Sequence, residues 1–82
     1  MISSYAKEED LQTEEVASSQ IKEIGHTASG KAIYIRFGNG SIYRYSPSTQ
    51  EDYDNFYESE SKGKHFHSVI KRSINATKIH NG

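Results

Sequence analysis

The 82-residue chain has no cysteine, no tryptophan and a single proline. Without cysteine, neither a disulfide framework nor a thiolate metal site can form. Long apolar runs are missing too. Nothing approaches the roughly 20 residues that cross a bilayer as a helix, and the start of the chain lacks the charged-then-apolar pattern of a signal peptide. These absences point to a cytoplasmic protein with no membrane partner. Apolar residues make up only 33% of the chain, so a protein of this length can build one compact core and no more. Tyrosine supplies six of the nine aromatics, giving core side chains that are apolar in body and polar at the tip.

Charge is spread unevenly along the chain. The net charge of −1 averages an acidic start and a basic end. Residues 1–18 carry Glu8, Glu9, Asp10, Glu14 and Glu15 against Lys7 alone. From 61 to 82 there is no acid, and Lys62, Lys64, Lys71, Arg72 and Lys78 accompany His65, His67 and His80. Such an end suits an anionic partner, or simply a solvated helix face.

With few apolar side chains, residues 1–18 are expected to form an acidic flexible tail, helical at most marginally. The ordered domain should span 19–76, with 77–82 frayed. A first strand over 19–26 is anchored by Ile21 and Ile24, whose odd spacing suggests a bulge. Residues 31–37 alternate, with Ile33, Ile35 and Phe37 on one face and Ala32, Tyr34 and Arg36 on the other. Gly38-Asn39-Gly40 signals a hairpin, leading into a third strand over 41–46. A two-residue turn would set Arg44 beside the apolar face. A three-residue loop with Gly40 left-handed pairs Phe37 with Ser41, Ile35 with Tyr43 and Ile33 with Tyr45, and is preferred because it leaves Arg44 in water. Tyr34, Arg36, Ile42 and Arg44 then form the outer face.

Pro47 ends that strand. Ser48-Thr49-Gln50-Glu51 fits a capping box opening a helix of about ten residues with Tyr53, Phe56 and Tyr57 as its stripe. A second helix over 62–73, capped by Ser61, carries Phe66, Val69, Ile70 and Ile74 toward the core. The expected fold is a small single-domain α+β protein, a three-stranded antiparallel sheet followed by two helices (βββαα).

The series Ser18-Ser19, Ile21, Ile24, Ile33, Ile35, Phe37, Gly40, Tyr43-x-Tyr45, Pro47, Tyr53, Phe56, Ser61-x-Gly63-x-x-Phe66 and Ile70 resembles a KTSC domain. That short module occurs at the C-terminus of some lysyl-tRNA synthetases and alone in bacteria and their phages. The resemblance covers residues 18–74 and implies RNA binding, a role suggested for the family from its synthetase context. The chain departs from the pattern at His26-Thr27, where Tyr-Asp is usual, at His67, where Asn is usual, and at Lys71, where Arg is usual. Any ligand contact made at those positions does not carry over directly.

Two constellations could carry binding chemistry. Ser61, Lys62, Gly63 and Lys64 open the second helix, and Lys71 and Arg72 follow on it. Cations at a helix start oppose its dipole but would suit a phosphate. Tyr34, Arg36, Tyr43, Tyr45 and His67 are the candidates for stacking on a base, although Tyr43 and Tyr45 also fit the core. His65-x-His67 sets its rings about 200° apart on a helix, a poor metal spacing. Neither a nucleophile elbow nor a catalytic triad signature is present, and no cofactor is implied. The favoured reading is a non-enzymatic module binding single-stranded RNA. A binder or sponge of a small nucleotide signal, phage-encoded and set between subunits of a homo-oligomer, is one alternative. A protein-interaction module is another.

Overall fold

The computed structural model describes residues 2–6, 10–73 and 75–82, with Ser73 described by its backbone alone. A short helix α1 (Ile2–Tyr5) precedes four strands, β1 (Leu11–Glu15), β2 (Ile21–Thr27), β3 (Ile33–Phe37) and β4 (Ile42–Ser46). Helix α2 (Gln50–Glu58) follows. A second helical run begins as α3 (Lys62–His65), widens into a π-helical turn (Phe66–Ile70) and closes as α4 (Lys71–Ser73). A last strand, β5 (Asn75–His80), completes a five-stranded antiparallel meander of order β1-β2-β3-β4-β5.

The expected three-stranded sheet is therefore corrected to five strands, and α1 adds a helix. Both extra strands are edges, and both escaped a reading based on apolar alternation. β1 reads Leu-Gln-Thr-Glu-Glu and buries no residue fully. It is held by backbone pairing to β2, with Thr13 opposite Gly25. A Cβ on Gly25 would lie 2.8 Å from the Thr13 methyl, so the missing side chain is what lets this edge approach. β5 pairs with β4 from Ser46↔Asn75 to Ile42↔His80, and of its side chains Ile79 packs against the core. Segments set aside as a tail and a frayed end thus supply backbone donors and acceptors that the central hairpins would otherwise leave open. Met1 and residues 7–9 of the expected tail, and Ile74 of the expected core, lie outside the described residues.

The central register is the three-residue alternative. Ile33 faces Tyr45, Ile35 faces Tyr43, and Phe37 donates to the Ser41 carbonyl at 2.9 Å. Gly40 takes φ +92°, a conformation open to glycine at little cost. Asn39 Oδ1 accepts from the Ser41 N–H at 2.9 Å. The bulge expected in the first strand falls between Ile21 and Glu23.

α2 starts one residue later than the capping box proposed for it. Thr49 is the N-cap, accepting from the Asp52 N–H, and Asp52 reaches back to the Thr49 N–H. Tyr53 and Phe56 are buried by this helix, whereas Tyr57 is 44% exposed. In the second run the Lys71 N–H reaches back to the Phe66 carbonyl across the π-turn. Phe66 and Ile70 enter the core, and Val69 is left 41% exposed. Together these helices cover one sheet face, over Ile21, Ile24, Ile33, Ile35 and Tyr45. The opposite face is also covered, because Ile2 and Ala6 pack with Ala32, Tyr34 and Ile42.

Candidate functional site

The second sheet face was expected to offer Tyr34 and Arg36 to a ligand. It does not. Tyr34 is only 3% exposed and its hydroxyl accepts from Arg44 Nε at 3.2 Å. Arg44 is not left to water, as it also donates to Ser46 Oγ at 2.8 Å. Arg36 Nε lies 3.1 Å from Glu23 Oε1, which also accepts the Ile2 N–H at 3.1 Å. The N-terminal residues close the platform, and the guanidiniums are engaged beside it.

Tyr45 belongs to the core. Its ring meets Phe66 edge-on at 5.4 Å. Burial first, then the neighbouring Tyr43 phenol, push its pKa from 10.0 to about 12. Tyr43 is different. Its side chain is half-buried, its ring stands edge-on to Phe37 at 5.8 Å, and the Lys78 ammonium lies 5.7 Å from the ring centre.

The basic residues Lys64, His67, Lys71 and Arg72 of the second helical run are exposed. Lys62 is not one of them. Its ammonium donates to the Ser59 carbonyl at 2.9 Å and lies 5.8 Å from the Tyr57 ring, so it closes the end of α2. Ser61 caps the run by accepting the Lys64 N–H at 3.3 Å. Gly63 is buried, and a Cβ there would come within 3.0 Å of Gln20 Oε1. His65 turns inward against Phe56 at 5.6 Å. Burial, and then the charge of Lys62, hold its pKa below 6.5. Among the described residues, no three His, Cys, Asp or Glu side chains gather as a metal site would require.

Lys64 and His67 face a cavity of about 430 Å³, lined also by Ser18, Ser19, Gln20, Ser61, Gly63 and Ser68. A second cavity of about 470 Å³ adjoins it, sharing Ser19 and Gln20 and lined also by Phe37, Gly38, Asn39, Ser41 and Tyr43. None of these described lining residues is acidic. Sequence reasoning marked the helix start and Tyr43 but not Gln20, Phe37, Asn39 and Ser41 as lining these cavities, because only the fold brings them together. Ser18 and Ser19 did leave a signal, since they form part of the family pattern. On the other side of Ser18, Ser19 and Ser61 lies a different cavity of about 490 Å³, lined by Glu14, Glu15, Glu60, Tyr57 and Lys62 among others.

Comparison with known proteins gives this geometry a context. The KTSC domain model matches residues 17–73. A lysine–tRNA ligase from Nostoc punctiforme is 39% identical over 56 residues, 65% of this chain, and the chain spans 9% of that enzyme's length. An uncharacterized protein from Stutzerimonas stutzeri is 30% identical over 54 residues, covering 66% of this chain and 76% of its own. The crystal structure of a KTSC domain protein from Yersinia pestis superposes with a TM-score of 0.81 at 31% identity, over 87% of this chain and 100% of that one. Every residue lining the two acid-free cavities falls within the matched span, whereas Glu14 and Glu15 precede it. With most of its length matched and the fold shared, the chain belongs to the KTSC domain family.

Proposed function

We propose that this protein is a non-enzymatic module that binds single-stranded RNA along the second helical run and the acid-free cleft beside it. The observation that carries this reading is the exposure of Lys64, His67, Lys71 and Arg72 on one run, within a stretch from 61 to 82 that contains no acid. Solvated cations placed this way attract a polyanion and release its counterions on contact. The half-buried Phe37 and Tyr43 rings add the aromatic surface that unstacked bases use and that duplexes withhold. The stretch shared with a lysine–tRNA ligase supports RNA as the polymer, since that enzyme is named for acting on tRNA.

The test is fluorescence anisotropy of a labelled single-stranded RNA of about twelve nucleotides, titrated with the full chain at several salt concentrations. Binding at low salt should weaken as salt rises, with a log–log slope near 0.7 for each phosphate neutralised. The matching duplex should bind more weakly. No change in anisotropy at low ionic strength would overturn the reading.

A further inference from the structure

We infer that the acid-free cleft seats one nucleotide of the strand, its phosphate among Ser61, Lys64 and His67 and its base against Phe37 and Tyr43. This rests on the nucleic-acid reading above and adds to it a binding unit and the placement of its phosphate and base.

The two ends of the cleft differ in chemistry. At the helix end, Ser18, Ser19, Ser61 and Ser68 line the same cavity as Lys64 and His67. These groups suit a compact, multiply accepting anion. At the hairpin end, Phe37 and Tyr43 supply flat apolar surface. Asn39 commits its carbonyl to the Ser41 N–H, which leaves its amide –NH2 as a donor for a base edge. A phosphate alone would satisfy only the first set and a free base only the second. A nucleotide carries both groups at opposite ends.

The bridge between the ends is fixed. Ser19 and Gln20 line both cavities. The Gln20 N–H is held by Ser18 Oγ at 3.4 Å and the Gln20 carbonyl accepts from the Gly38 N–H at 2.8 Å. On the other side Gly63 allows the helix to come against the Gln20 side chain. Hairpin, bridge and helix therefore set the separation of the two ends before a ligand arrives, which lowers the ordering cost of binding. Each cavity, at about 430 and 470 Å³, falls in the usual range of roughly 300–1,000 Å³ for small-ligand sites.

The experiment is NMR titration of the isotope-labelled full chain with adenosine 5′-monophosphate, adenosine, inorganic phosphate and a single-stranded RNA hexamer. AMP should shift amides at both ends, around 61–67 and 37–43, with one-to-one stoichiometry. Phosphate should shift only the helix end, and adenosine only the hairpin end. Tyr43→Leu should weaken AMP by about fivefold or more. The exposed substitution Lys64→Gln, which leaves packing intact, should weaken AMP and phosphate but not adenosine. Shifts confined to the helix end with AMP, and none with adenosine, would overturn the nucleotide seat. So would a hexamer that binds while AMP leaves the cleft untouched, an outcome that keeps the RNA reading. If AMP binds as described and neither the hexamer nor longer strands do, the seat stands and the RNA reading falls.

Discussion

Two clefts meet at Ser18, Ser19 and Ser61 and share those hydroxyls, yet their electrostatics are opposed. One gathers Glu14, Glu15 and Glu60, and its lysine, Lys62, is tied to the Ser59 carbonyl. The other holds Lys64 and His67 with no described acid in its lining. The difference follows from where the walls come from. The acid-free walls belong to the span shared with the family, whereas two of the three glutamates arrive on β1, an edge strand outside that span. One protein surface thus offers an attractive and a repulsive anion path side by side. A strand engaging the first would be kept out of the second by like charge.

The largest effect expected from breaking this contrast comes from charge reversal along the basic run, in the attractive cleft and just beyond it. Lys64→Glu combined with Lys71→Glu should lower single-stranded RNA affinity by about tenfold or more and flatten its salt dependence, as read by anisotropy. An unchanged affinity would remove the basic run as the binding surface. Next in size is a substitution aimed at β1. Gly25→Val drives a side chain into Thr13 and should cost about 1–3 kcal/mol in a denaturant melt. RNA affinity should nevertheless hold within about twofold, because the acid-free cleft does not use β1.

A smaller change sharpens the acidic side. Glu14, by hydrogen bond and charge, pushes the exposed Tyr57 phenol above its ordinary pKa. Glu14→Gln should return it toward 10.0 in a spectrophotometric titration and leave RNA affinity the same or slightly higher.

The smallest expected effects are in the pH dependence of stability. In the folded state the pKa of His65 lies below 6.5. Its contribution is complete above that value and is lost as pH falls from 6.5 through the folded pKa, because the unfolded chain takes the proton first. His65→Phe should flatten this acid limb in thermal melts. Burial raises Tyr45 and Tyr53 from 10.0 to about 12, with Tyr43 adding to the first and Glu14, Tyr57 and Asp54 to the second. Their contribution is complete below pH 10 and is lost as pH rises through about 12. Tyr45→Phe should therefore soften alkaline unfolding.

Much of the centre of the fold was legible in the residues. Ile33, Ile35 and Phe37 alternate, Gly40 supplies the left-handed position, and Phe66 with Ile70 marks a buried helix stripe. Each rests on a local rule that the neighbouring residues do not contradict. The same rules marked Lys64, Lys71 and Arg72 as cations open to solvent, since a run without acids can be read directly, and the three are exposed. They failed for Lys62, whose charge is drawn to a carbonyl three residues back, and for Tyr34, whose covering residue Ile2 is remote in sequence.

What the sequence determined by itself was the β3–β4 hairpin, with a preference between its two registers, the helical course of 50–58 and 62–73, and the basic character of the second run. Period, turn chemistry and charge are local properties. Only the tertiary structure decided that two polar segments pair as edge strands, because the backbone groups of β2 and β4 that hold them carry no side-chain signature. It alone brought Ser18–Gln20, the 38–41 loop and the start of the second run to one cleft, since those residues are separated in sequence and meet only once the sheet has formed.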